Sequence, residues 1–78
     1  MAPRTPFERP IAVPGWPASR WGYDVALECF WAELGDGPAG RVVRIGPEHL
    51  LTTVPALARA VGHVAGVDGD VAYLALTA

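Results

Sequence analysis

A chain of 78 residues with a formal net charge of −2 is one small domain with a limited core, so a dimer or a partner subunit is a standing expectation. Apolar residues make up 51% and charged residues 18%, a balance that argues for a globular fold over disorder and against electrostatic capture of nucleic acid or membrane. The single cysteine, Cys29, excludes an intrachain disulfide and any zinc site needing two or more cysteines of one chain.

All six basic residues are arginine (Arg4, Arg9, Arg20, Arg41, Arg44 and Arg59), a usage that fits coding from a GC-rich genome. Prolines interrupt the N-terminal region before it can form the apolar core of a secretory signal. No apolar run approaches the ~20 residues that a membrane-spanning helix needs. The expectation is a cytoplasmic protein.

Residues 1–20 contain Pro3, Pro6, Pro10, Pro14 and Pro17, a spacing that forbids helix and removes sheet donors. They read as a proline-rich arm ahead of a single domain over 21–78. The arm has apolar anchors in Phe7, Ile11, Val13 and Trp16. It either lies back across its own core or docks on another protein in the manner of proline-rich recognition peptides, with Trp16 as a contact. Residues 11–13 could add an edge strand, where flanking prolines are tolerated.

Residues 22–34, GYDVALECFWAEL, follow. On a helix their charged residues form no clean stripe. As one strand, Tyr23, Val25, Leu27, Cys29 and Trp31 fall on one face and Asp24, Ala26, Glu28, Phe30, Ala32 and Leu34 on the other. Residues 35–40 are a Gly/Asp/Pro turn cluster, and residues 41–45 have the β-branched density of a strand. A lone strand leaves backbone groups unpaired, so the two segments predict an antiparallel β-hairpin.

Thr53 reads as an N-cap with Pro55 tolerated in the first turn. Val54, Leu57, Ala58, Val61, Val64 and Ala65 repeat at helical spacing over 54–65, and Gly66 is the stop. Gly62 either marks close packing or only weakens the helix. A second helix is predicted over 71–77, capped by Asp70, with Asp68 and Asp70 at the favourable end of its dipole. The fold class expected is α+β: a small ββαα domain, its hairpin (with a third edge strand available) packed against two C-terminal helices.

The chemistry-bearing residues are dispersed. Cys29 reads as a small core hydrophobe rather than a nucleophile. His49 and His63 have no spacing that makes a metal pair, and no phosphate-cradling or nucleophile motif is present. No catalytic residue, cofactor or metal is expected, so the chain reads as a non-enzyme. One helical layer cannot cover both faces of a small sheet, and a leftover apolar face marks a protein contact. The expected partner-binding residues are therefore Phe30, Trp31, Leu34, Val42, Arg41 and Arg44, with Trp16 from the arm; aromatics and arginine are the usual anchors. The function expected is a protein-binding or accessory module working through a hydrophobic sheet face, as a homodimer or complex subunit.

Three resemblances accompany these readings. Residues 57–76, through Ala58, Gly66, Val67 and Val71, resemble the paired helices of helix-turn-helix regulators, which implies DNA binding as the alternative function. The would-be reading helix, however, starts with Asp68 and Asp70 and has no basic or amide side chain. The string PAGRVVRIGP over 38–47 resembles MbtH-like proteins, small partners of peptide-synthetase adenylation domains, in size and layout. The whole chain resembles uncharacterised small proteins of high-GC actinobacteria in which GYD precedes an aromatic strand, and that resemblance implies no activity.

Overall fold

A computed structural model describes residues 7–78. Four strands, β1 (Phe7–Val13), β2 (Trp16–Asp24), β3 (Cys29–Gly35) and β4 (Val42–Ile45), are followed by two helices, α1 (Val54–Ala65) and α2 (Gly69–Thr77). The strands form one antiparallel sheet in the order β1-β2-β3-β4. The α+β class, the two C-terminal helices and an edge strand that includes residues 11–13 are as expected, and the antiparallel hairpin is part of a four-stranded meander. Part of the expected arm, Pro3, Arg4 and Pro6 included, lies outside the described residues.

Residues 7–20 belong to the sheet, so the expected boundary at residue 20 falls inside β2. The prolines are tolerated for three local reasons. Pro10 lies on an edge strand. Pro14 and Gly15, which takes φ +81°, occupy the two-residue turn between paired Val13 and Trp16, the residue pair that a type II turn needs. Pro17 precedes Arg20, the first β2 residue paired with β3. A type II turn fits strand twist poorly, and the register shift between Ile11 and Val13 beside it absorbs the mismatch.

The largest correction concerns residues 22–34, which are two strands rather than one. Residues 25–28 form a turn. Asp24 starts it by accepting the Leu27 N–H on Oδ1 at 3.1 Å, and Glu28 closes it at φ +54°. Tyr23 then pairs with Phe30 and Trp21 with Ala32, so residues of opposite parity share a face. The expected Tyr23/Val25/Leu27/Cys29/Trp31 face does not form.

The β3–β4 loop falls where the turn cluster was read. Gly37 and Gly40 take φ +75° and +74°, and the Arg41 N–H donates to Asp36 Oδ1 at 2.7 Å. After β4 the chain makes a short 3-10 turn, Pro47–His49. It then returns to the sheet, where the Phe30 N–H donates to the Leu51 carbonyl at 2.7 Å.

Helix α1 keeps its expected bounds. The Thr53 hydroxyl accepts the Ala56 N–H at 3.2 Å, and Gly66 ends it in the left-handed conformation. Helix α2 starts two residues earlier than expected and is capped by Asp68, whose carboxylate accepts the Asp70 N–H at 2.9 Å. Gly62 marks close packing: a Cβ there would lie 2.8 Å from the Val67 carbonyl oxygen and 3.3 Å from Gly69 Cα. These are backbone atoms and cannot swing aside. Gly62→Ala is therefore expected to lower stability by about 1–3 kcal/mol despite alanine's better helix propensity, measurable as a shifted urea midpoint.

Both helices lie on one sheet face, α1 against β3 and β4 and α2 against β1. Between them sits the core: Trp16, Trp21, Phe30, Leu34, Ile45, Leu57, Val61 and Leu76, with smaller neighbours. Its aromatic centre is Trp21, with Phe7 edge-on at 4.9 Å and Phe30 at 5.9 Å. Tyr23 meets Phe30 edge-on at 4.9 Å.

Ser19 is the buried polar residue of this region. Its hydroxyl donates to the Trp16 carbonyl at 2.7 Å and accepts the Gly35 N–H at 3.3 Å, linking the irregular start of β2 to the end of β3. Ser19→Ala leaves both backbone groups short of a partner and is expected to cost about 1–3 kcal/mol, read from thermal denaturation.

Candidate protein-binding face

The helices occupy the face that carries Trp21, Phe30, Ala32 and Leu34, so the opposite face of the sheet is the one they leave uncovered. This fixes where the seven expected contact residues stand. Phe30, Leu34 and Trp16 are core residues, 3%, 0% and 7% exposed. Trp31, Val42 and Arg44 are on the uncovered face, since Trp31 pairs with Gly22, Arg44 with Glu33 and Val42 with Gly35. Arg41 is exposed just before β4; it lies 3.7 Å from Asp36 and 5.1 Å from the centroid of the Trp16 ring.

The uncovered face is not the hydrophobic surface expected. Alternation along each strand sends the apolar set to the helices, and apart from Arg9, which pairs with Trp21 at the edge, the charged strand residues take the other side. Beside Asp24, which ends β2 near Trp31, four charged side chains stand together here: Glu8 from β1, Arg20 from β2, Glu33 from β3 and Arg44 from β4. They form a row of alternating sign. Arg20 reaches Glu8 with one terminal nitrogen and Glu33 with the other, each at 3.2 Å, and Arg44 Nε lies 3.5 Å from Glu33. Exposed pairs of this kind contribute little stability, about 0–1 kcal/mol each. Their effect is to fix a charge pattern in space.

Trp31 interrupts the charged surface with a half-buried ring. Opposite it, Gly22 offers no side chain, and the indole lies over the gap: a Cβ on Gly22 would be 2.6 Å from the ring and would also meet the Phe7 carbonyl oxygen. The Arg20 guanidinium stands 6.0 Å from the same ring, at the outer reach of a cation–π contact. On the other side of the charge row lie small or apolar exposed residues, Ala12, Ala18 and Val42, the last 55% exposed.

Glu8, Arg20 and Glu33 were missed in the sequence. They are 12, 13 and 11 positions apart along the row to Arg44, and only the register brings them together. Elsewhere, Leu74 and Val71 share one exposed side of α2, and Leu27 and Leu50 are exposed in loops. Pro10, Ala12, Pro14 and Pro17 line a shallow apolar groove at the β1–β2 turn.

Among the described residues, no three His, Cys, Asp or Glu side chains are grouped to hold a metal ion. The Cys29 thiol is buried and donates to the Leu27 carbonyl at 3.1 Å. His49 lies beside the Gly46 carbonyl and Glu48, and His63 is exposed on α1. Helix α2, the counterpart of a DNA-reading helix, carries Asp70 and no basic residue. No helix among the described residues is long and apolar enough to cross a membrane. No family model matches the chain, and neither a curated protein nor a solved structure does so.

Proposed function

We propose that the protein is a non-enzymatic protein-binding module whose docking surface is the uncovered sheet face. The observation that carries this reading is the Trp31 ring, held half-buried over Gly22 beside an ordered charge row. A tryptophan with an arginine beside it is the composition of an interface anchor, and a fixed charge pattern selects partners more than it tightens binding. Trp31, Val42 and Arg44 keep the roles expected of them. Phe30, Leu34 and Trp16 hold the platform from beneath, and Arg20, Glu8 and Glu33 join the contact set.

The test is photo-crosslinking in the producing cells, with a photoreactive side chain placed at Val42 in one variant and at Leu74 in another. Adducts at Val42 that Trp31→Ala abolishes, with none at Leu74, are the expected result. Adducts at Leu74 alone, or Val42 adducts indifferent to Trp31→Ala, would place the contact elsewhere.

A further inference from the structure

We infer that the partner on this face is a second copy of the same chain, laid sheet against sheet about a two-fold axis that runs parallel to the strands between β2 and β3. The inference rests on the binding face proposed above and names its occupant. The reason is charge complementarity. Read from β1 to β4 the row is negative, positive, negative, positive, on Glu8, Arg20, Glu33 and Arg44. Such a row, reversed, is its own complement.

The axis along the strands performs that reversal, placing β1 against the partner's β4 and β2 against the partner's β3. Arg20 then faces the partner's Glu33 at the same level, while Glu8, which is level with Gly22 and Trp31, reaches toward the partner's Arg44 on a diagonal, as it does toward its own Arg20. A two-fold lying in the interface across the strands, at the level of Arg20, Glu33 and Arg44, would instead set each of these three against its own copy, and like charges oppose that arrangement. The charge pattern therefore selects one of the two in-plane axes. It also gives the aligned strand directions that stacked sheets prefer.

The rest of the face agrees with this axis. Trp31 and Gly22 are register partners, so the axis between their strands sets Trp31 over the partner's Gly22. Each indole already leans from β3 across its own Gly22, toward the axis, and the two rings meet there. Gly35 and Ala18 are the next small pair: a Cβ on Gly35 would lie 2.6 Å from the Ala18 carbonyl oxygen, so the sheet surface is low there and two copies can approach closely. The arginines keep capacity for one more carboxylate, a third for Arg20 and a second for Arg44. Arg20 and Arg44 side chains are 49% and 74% exposed, and a guanidinium has five N–H donors.

The test mixes two charge-reversed variants, Glu33→Arg and Arg20→Glu, each checked by circular dichroism for a native fold. Sedimentation velocity on the unaltered chain, from roughly micromolar to millimolar, is expected to show a monomer–dimer equilibrium that weakens with added salt. Each variant alone places like charges across the axis and is expected to self-associate about a hundred-fold more weakly. Mixed in equal amounts, the two restore every opposite-sign contact across the axis and are expected to form a one-to-one heterodimer. A purely intrachain role for the row cannot produce that recovery. A chain monomeric throughout, or a dimer that neither reversal weakens, or a mixture that stays monomeric, would overturn the inference. In any of these cases, Val42 adducts to a different protein that Trp31→Ala abolishes would leave the binding-face reading standing.

Discussion

Replacing Phe30 with alanine is expected to cost about 3–5 kcal/mol, whereas replacing its neighbour Trp31 is expected to cost about 1 kcal/mol. The two aromatics are adjacent in sequence and lie on opposite sides of β3. Phe30 packs against Trp21 and Tyr23 beneath the helices, and its removal opens a cavity that the surrounding sheet cannot close. Trp31 rests on a glycine and keeps part of its ring in water. Since small domains are stable by only about 5–15 kcal/mol, Phe30→Ala should leave the chain near its unfolding threshold at room temperature. Urea denaturation followed by circular dichroism measures both. Equal losses, or the larger one at Trp31, would mean that the helices cover the other face.

Gly22→Ala carries the second large effect. The new methyl group meets two obstacles at once: the Phe7 carbonyl oxygen on β1, which is backbone, and the Trp31 ring on β3. Only the indole can move. The expected cost is about 1–3 kcal/mol, with the indole displaced from the sheet. The combined Gly22→Ala/Trp31→Ala variant is expected to recover only part of this cost, because the carbonyl contact remains. Thermal denaturation of the two single variants and the double one separates the terms. Full recovery would show that Phe7 yields freely and that the β1–β2 pairing is softer than its register suggests.

The parts of the fold that were legible in the sequence are those with local physical signals. Thr53, the spacing of Leu57, Ala58 and Val61, and Gly66 define α1 because a cap, an apolar stripe and a left-handed stop each act within a few residues. The β3–β4 turn was legible from Gly37 and Gly40, both of which need positive φ. The turn at 25–28 was not, because it contains no glycine, proline or asparagine; Asp24 and a left-handed Glu28 make it. That one omission joined two strands and inverted the faces of the later one. Phe30, Leu34 and Trp31 are therefore all expected at a partner surface, and of the three only Trp31 stands on the uncovered face. A loose arm and an edge strand at 11–13 are both compatible with the prolines. These residues exclude helix and central strand but permit an edge strand and its turn, which is where Pro10 and Pro14 are found.

The charge row shows a different limit. No local rule marks Glu8, Arg20, Glu33 and Arg44 as a group, because each is an ordinary polar residue facing out of its own strand. Their alternation arises from the registers of three strand pairs, and a one-residue slip in any pair would remove it.

The last helix in the chain lies on the first strand, α2 against β1. Every strand pairing joins sequence neighbours, so the sheet can assemble as the chain lengthens. Its apolar side near Ile11 and Val13 nevertheless stays wet until α2 has been synthesised. Folding is thus closed like a clasp, with Leu76 at the catch. Cutting the chain after Gly66 would leave all four strands and α1 intact in sequence, yet expose the Ile11 end of the core to water and to other chains.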